Sequence, residues 1–377
     1  MIERIGITLL GLVGAAFAQD APAFRTDAST DDSLPWFQIV DGEFPPEGSA
    51  HYFSGELIGI DPVNRKGTLR VDRTDQQRRS HWDLPVDFKM LPYGAIWLHG
   101  SPAELRQVPI GTHLHGWFYE KGPDEEVRTV FHNRASIEAN FTRCFRLEDD
   151  FSYQIRQGRD WRVDVVNLEE GKLTVTGMKG DVADEKATEF DLLPSARIWK
   201  GNGFGTLADL AAGQRIQVNL TWATLYGPGR CIDIWLDAES QAGAKARMAA
   251  TYEQHLKERG FAGWVDAVDN PNRVVTVTFF DQVDPKLFED FNKGASVTAL
   301  VAEPSLRSYD QVNDRKRGPL LEMREVPNVP GSSGVQIDFQ PELLLEGFRP
   351  GRIVRILPER WPLISIPQEE RLWPARD

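Results

Sequence analysis

Leu91-Pro92-Tyr93-Gly94-Ala95-Ile96-Trp97 returns, with a constant offset of 102 residues, as Leu193-Pro194-Ser195-Ala196-Arg197-Ile198-Trp199. The register then continues without a gap. Each Trp is followed at the same distance by a glycine, Gly111 and Gly213. Each glycine opens an alternating run, Thr112-His113-Leu114-His115-Gly116-Trp117 in the first copy and Gln214-Arg215-Ile216-Gln217-Val218-Asn219-Leu220 in the second. An internal repeat of this kind sets the architecture before any single motif does.

Upstream, the starts of the copies agree as well. Gly55-Glu56-Leu57-Ile58-Gly59-Ile60-Asp61 precedes Gly67-Thr68-Leu69-Arg70-Val71. Trp161-Arg162-Val163-Asp164-Val165-Val166-Asn167 precedes Lys172-Leu173-Thr174-Val175-Thr176. A third copy shows Gly263-Trp264-Val265-Asp266-Ala267-Val268-Asp269 before Arg273-Val274-Val275-Thr276-Val277-Thr278. Two alternating, β-branched runs joined by a short turn predict a hairpin in each case. Downstream, Cys144-Phe145-Arg146-Leu147 and Cys231-Ile232-Asp233-Ile234 read as matching closing strands. The third copy diverges after its hairpin, with Gly294-Ala295-Ser296-Val297-Thr298-Ala299-Leu300, a turn-rich insertion at about 303–335, and Gly351-Arg352-Ile353-Val354-Arg355-Ile356.

One segment carries helical signals, 238–259. Asp237 can cap it, Glu253 and Lys257 form an i,i+4 pair, Lys257 and Arg259 suit its C-terminal end, and Gly260 stops it. A stripe of Ala242, Ala246, Ala249, Tyr252 and Leu256 should lie against a barrel or between two modules.

The expected fold is therefore mainly β: three tandem small barrels at 51–150, 151–237 and 261–377, the last with the insertion, and a linker helix at 238–260. Closing each sheet removes edges that would pair between molecules. The G-x-V-x-x-V-D start, the T-V-T second strand and the L-x-x-G-x-x-V-x-V later strand resemble the OB-like barrel repeats of exported bacterial proteins of unknown role. That resemblance covers most of residues 52–357. It implies a fold, and fold alone does not fix function.

The chain has 377 residues, with 43 Lys+Arg against 56 Asp+Glu, a formal net charge of −13. Phosphate backbones select basic surfaces, so duplex nucleic acid is excluded as the expected partner. Residues 1–18, MIERIGITLLGLVGAAFA, combine a short polar start, an uncharged apolar run and Ala16-Phe17-Ala18. They read as a secretory signal cut near Ala18, giving a secreted or periplasmic protein without a transmembrane segment in its mature chain. Residues 19–50 read as an acidic leader, flexible over 19–34 and ordered from near Trp36. In an exported chain, Cys144 and Cys231 either oxidise to one disulfide or fill the same core niche as two buried thiols.

Histidines gather in the first module: His51, His81, His99, His113, His115 and His132. On a strand, His113 and His115 share a face, and two imidazoles on one face can bind a divalent transition metal. His99, His132, Asp149 or Asp150 could add the third ligand. With Leu114 facing the core, both histidines are expected at the surface. The His-Leu-His-Gly string resembles part of a copper-oxidase ligand motif, but that family's Cys-His cluster and His-x-His-rich C-terminal segment are missing here.

Of the eleven tryptophans, Trp97/Trp199 and Trp161/Trp264 read as equivalent pairs that plug barrel ends. Trp117, Trp222 and Trp235 fall outside these pairs and are candidates for stacking a ligand such as a sugar. No G-x-S-x-G and no phosphate loop is present: Gly201-Asn202-Gly203-Phe204-Gly205 lacks the following Lys-Ser/Thr. Two functional expectations follow. One is an exported, non-enzymatic binding or scaffold protein whose partner is a protein, a glycan or cell-envelope material. The other is a metal-binding protein, or a metal-dependent hydrolase, using His113 and His115.

Overall fold

Alternation of apolar and polar residues builds the first barrel in the computed structural model, which describes residues 24–72, 85–122, 125, 140–221, 229–309 and 312–372. Residues 1–18, read above as a secretory signal, lie outside the described residues, as do His81, His132 and Trp222. Barrel 1 comprises β1 (His51–Asp61), β2 (Lys66–Val71), β3 (Pro85–Leu98), β4 (Ser101–Pro102), β5 (His113–Tyr119) and β6 (Arg143–Asp149). Its ring runs β1-β2-β3-β6-β5 and back to β1, antiparallel except for the parallel β3–β6 pair. The short helix α1 (Asp150–Arg156) leads into barrel 2.

Barrel 2 repeats the plan with β7 (Arg159–Asn167), β8 (Lys172–Lys179), β9 (Val182–Lys200), β10 (Gly203–Phe204), β11 (Arg215–Thr221) and β12 (Gly229–Trp235). Its ring is β7-β8-β9-β12-β11, with β9 and β12 parallel. Helix α2 (Ala238–Arg259) follows at the expected place, with the Asp237 carboxylate accepting from Ser240 N–H at 2.7 Å. Barrel 3 contains β13 (Phe261–Asp269), β14 (Val274–Phe280), β15 (Ser296–Ala302), β16 (Arg315–Glu325), β17 (Ser332–Phe339) and β18 (Ile353–Pro358). It closes as β13-β14-β17-β16-β15-β18, all antiparallel. Here β16 is wedged where the other barrels pair two parallel strands. Much of the stretch read as an insertion thus belongs to the barrel wall.

The repeat rests on one corner made three times. Gly111, Gly213 and Gly351 have φ of 93°, 84° and 79°, a region that favours glycine. Their N–H groups donate to the carbonyls of Leu57, Val163 and Val265 at 2.7, 2.7 and 2.9 Å. Those residues donate back to the carbonyls of Thr112, Gln214 and Arg352. In each first strand the pairing register shifts just beyond, after Leu57, Val163 and Val265. This corner identifies β18 as the counterpart of β5 and β11.

The same register corrects the tryptophan pairing. Val163 and Val265 are equivalent, so Trp161 matches Gly263, and Trp264 stands one residue later on the opposite face. Trp161 packs on Phe190 of its own barrel, whereas Trp264 joins a cluster between barrels 1 and 3. Trp97 and Trp199 are equivalent, but both are half-buried and point away from their cores. Their neighbours Ile96 and Ile198 fill the cores instead.

The apolar cores number one per barrel, with a cluster around Tyr93, Trp264 and Phe280 between barrels 1 and 3 and a smaller one of Phe151, Trp235 and Ala244 between barrel 2 and the helices. Phe37, Ile39 and Phe44 pack against that cluster, and Asp27 accepts from Tyr52 N–H at 2.8 Å. The described leader residues are therefore fixed to the barrels, and order begins before Trp36. On α2 the buried line is Ser240, Ala244, Tyr252 and Leu256, with Met248 touching barrel 1. Ala242, Ala246 and Ala249 are exposed. The large side chains Tyr252 and Leu256 choose the face, and steps of four residues carry it back to Ser240.

Candidate metal centre

Strand alternation sends Leu114 and Phe118 into barrel 1 and His113, His115 and Trp117 outward. The two histidines are nevertheless only 4% and 9% exposed. Helix α1 and strand β11 of barrel 2 cover them, so an outward face has become a buried junction. The expected surface location is corrected by this docking, which no local pattern encodes.

The β6-to-α1 corner supplies the third group. Asp149 caps α1, accepting from Ser152 N–H at 2.8 Å. The next residue, Asp150, is 5% exposed and turns toward the histidines. Its Oδ1 lies 2.7 Å from His113 Nδ1 and 3.1 Å from His115 Nε2. These three atoms all fall within 4.8 Å of one another, a grouping that could hold a metal ion.

Each candidate ligand is braced from behind. Asp72 Oδ2 sits 2.7 Å from His113 Nε2 and accepts from the Ser54 hydroxyl at 2.7 Å. The Tyr52 hydroxyl lies 2.8 Å from His115 Nδ1. Asp150 Oδ2 accepts from Leu220 N–H of barrel 2 at 2.8 Å. Such outer partners fix ring orientation and tautomer in metal sites. Asp72 Oδ1 is buried with no hydrogen-bond partner among the described residues.

The same contacts set the charge that His113 and Asp150 carry. Burial disfavours an imidazolium, but the carboxylates of Asp150 and Asp72 on both ring nitrogens outweigh it and hold His113 well above its ordinary range. Burial would likewise raise Asp150, yet His113 and His115 pull it far below the usual carboxylate range. Burial and the neighbouring Tyr153 hold the Tyr52 hydroxyl protonated to well above its usual value.

His99 does not join this group. Its backbone N–H donates to Asp149 at 3.0 Å, and its ring lies against Trp235 with centroids 4.9 Å apart. Trp235 is 1% exposed and packs on Phe151 and Ala244, so it is a plug between barrel 2 and the helices and not a stacking surface. Trp117 is half-buried beside Tyr52, with the Arg156 guanidinium over its ring at 4.9 Å. Its face is already taken by a cation. Among the residues that complete the centre, Asp72, Tyr52 and Leu220 left no signal in the sequence, because strand pairing and barrel docking bring them in.

Cys144 and Cys231 are free and fully buried, each in the core of its own barrel. Their strand partners, Met90 and Leu192, are also repeat-equivalent. No disulfide joins them, because the repeat places them at matching interior sites of separate barrels. Burial pushes both thiols up. Both should stay unmodified by dithionitrobenzoate in the native chain and both should react in denaturant. Rapid native labelling of either would contradict this placement.

The chain matches no family model, no curated protein and no solved structure.

Proposed function

We propose that this chain is a binding protein of OB-like barrels that takes up one divalent transition-metal ion through His113 Nδ1, His115 Nε2 and Asp150 Oδ1. The observation that carries the reading is the bracing of all three ligands. A carboxylate, a phenol and a backbone N–H from the neighbouring barrel hold them in place. Two imidazoles and a carboxylate suit zinc or a similar ion, with the fourth position left to water. The ion would replace the direct contact between His113 and Asp150, and would tie barrel 1 to barrel 2. Tying two barrels together is a structural or binding role, while the open fourth position is the feature a hydrolase would share.

Equilibrium dialysis of the metal-free chain against zinc and cobalt, read by elemental mass spectrometry, tests the reading. One ion per chain is expected, with cobalt giving the visible bands of a low-coordinate site. His113→Ala and His115→Ala should each abolish the stoichiometric ion while circular dichroism stays that of a folded β protein. The absence of a stoichiometric ion, or an equal load in both variants, would overturn it. Export to the periplasm or cell exterior remains part of the proposal. Fractionation of the native protein, with the mature N-terminus determined, checks it.

A further inference from the structure

Barrel 1, α2 and barrel 3 meet around a second polar centre, separate from the His113–His115–Asp150 group. A cavity of about 30 Å3 lies there, lined by Arg65, Arg106, Arg259, Arg307 and Arg355. One water needs roughly 10–15 Å3 by this measure, so the space exceeds a single water. Only two carboxylates, Glu104 and Glu370, line the same cavity. In a chain of net charge −13, five guanidinium groups against two carboxylates is a local reversal of sign.

The carboxylates do not use up these cations. Glu370 pairs with Arg106 at 2.7 Å and with Arg259 at 3.1 Å. Glu104 faces His255 at 3.4 Å. Arg65 donates to the carbonyls of Leu91, Pro92 and Gly94, and Arg355 to those of Leu306 and Gly260. Arg307 donates to the carbonyls of Glu369 and Arg371. Carbonyl dipoles satisfy hydrogen bonds without neutralising a charge.

Four donors on the wall have no acceptor. The Nε atoms of Arg65, Arg259 and Arg307 and the Ser308 hydroxyl are buried with no hydrogen-bond partner among the described residues. Arg65, Arg259 and Ser308 are 6%, 8% and 2% exposed. Orphaned donors of this kind point to a missing water or ion, and clustered arginine donors fit phosphate and carboxylate oxygens.

We propose that this cavity binds a small inorganic oxyanion of the phosphate class, which locks barrel 3 to barrel 1 across α2. The excess positive charge registers on the neighbouring groups. Burial pushes Arg355 down to about 10, with Arg259 and Arg65 adding to the effect against Glu104. Burial lowers His255 against the opposing pull of Glu104, and Arg355, Arg259 and Arg106 add to the lowering. Although burial would raise Glu104, His255, Arg65 and Arg355 hold it below the carboxylate range.

Calorimetric titration of sodium phosphate into the full, metal-free chain tests the proposal, with ionic strength held constant by sodium chloride. One saturable site is expected, with sulfate competing. Arg307→Met should weaken phosphate roughly tenfold or more, the loss typical of a charged hydrogen bond. Glu370→Gln should strengthen it several-fold, because it removes a competing carboxylate and releases Arg106 and Arg259. A damaged fold cannot bind more tightly, so this variant separates the site from stability. Absence of a saturable signal, chloride binding as tightly as phosphate, unchanged affinity in Arg307→Met, or weaker binding in Glu370→Gln would each overturn the proposal.

Discussion

Asp150→Ala is expected to cost the metal-free chain about 3–5 kcal/mol in the transition that unfolds barrel 1, followed by urea denaturation with a chelator present. Asp150 is the single acceptor shared by His113, His115 and Leu220 N–H. Removing it leaves a buried imidazolium with one carboxylate instead of two and strands a backbone donor of barrel 2. The flanking bonds between barrels, Asn219 Nδ2 to Asp149 at 2.8 Å and Phe151 N–H to Asn219 Oδ1 at 2.9 Å, do not use the Asp150 side chain and remain in this variant. Asp150→Asn keeps the size and one acceptor oxygen and should recover part of the loss. A change below about 1 kcal/mol for the alanine variant would place the pair among weak surface contacts and refute this account.

The pH profile of the same chain carries the sign of the two shifts. His113 is raised, so its contribution is complete below its ordinary value of about 6.5 and fades as pH rises through the folded value. Asp150 is depressed, so its contribution is complete above about 4 and is lost as pH falls through the folded value. Metal-free stability should therefore be greatest between roughly pH 4 and 6.5 on this account and decline on the alkaline side. Asp150→Ala should flatten that alkaline decline. An equal decline in both proteins would show that another group causes it.

Gly116→Ala is the second large effect, expected to destabilise barrel 1 by about 2–3 kcal/mol. A Cβ at Gly116 would stand 2.2 and 2.5 Å from ring atoms of Phe118 and 3.2 Å from Leu147. Phe118 is fully buried and stacked on Phe53 at 4.0 Å, so its ring cannot swing aside. The strand must shift instead, and it is the strand that carries His113 and His115. Metal affinity should fall together with stability. Thermal melts and zinc titration of the variant check both, and an unchanged melting temperature would refute the crowding. The final Gly in the run from His113 to Gly116 is thus a packing requirement of the barrel and not part of a ligand motif.

Strand content, the tandem repeat, the three hairpins and α2 with its cap are all legible in the amino-acid sequence. These depend on local chemistry: alternation at period two, glycine at corners with positive φ, and an aspartate before a helix. It also placed His113 and His115 on one face, because strand geometry alone requires that. Tertiary structure decided whether that face was wet or dry. Leu114 points inward in either case, and only the docking of β11 and α1 buries its neighbours. It selected Asp150 over His99 as the third group, since Asp150 Oδ1 meets both histidines whereas the His99 ring packs on Trp235. It decided that the third barrel takes up the apparent insertion as β16 and β17, a pairing between segments distant in sequence. It also gathered the arginines between barrels 1 and 3 from residues 65 to 355, a spacing that no periodicity can encode. Local rules act over a few residues, whereas burial and charge pairing between modules follow from how finished barrels fit together.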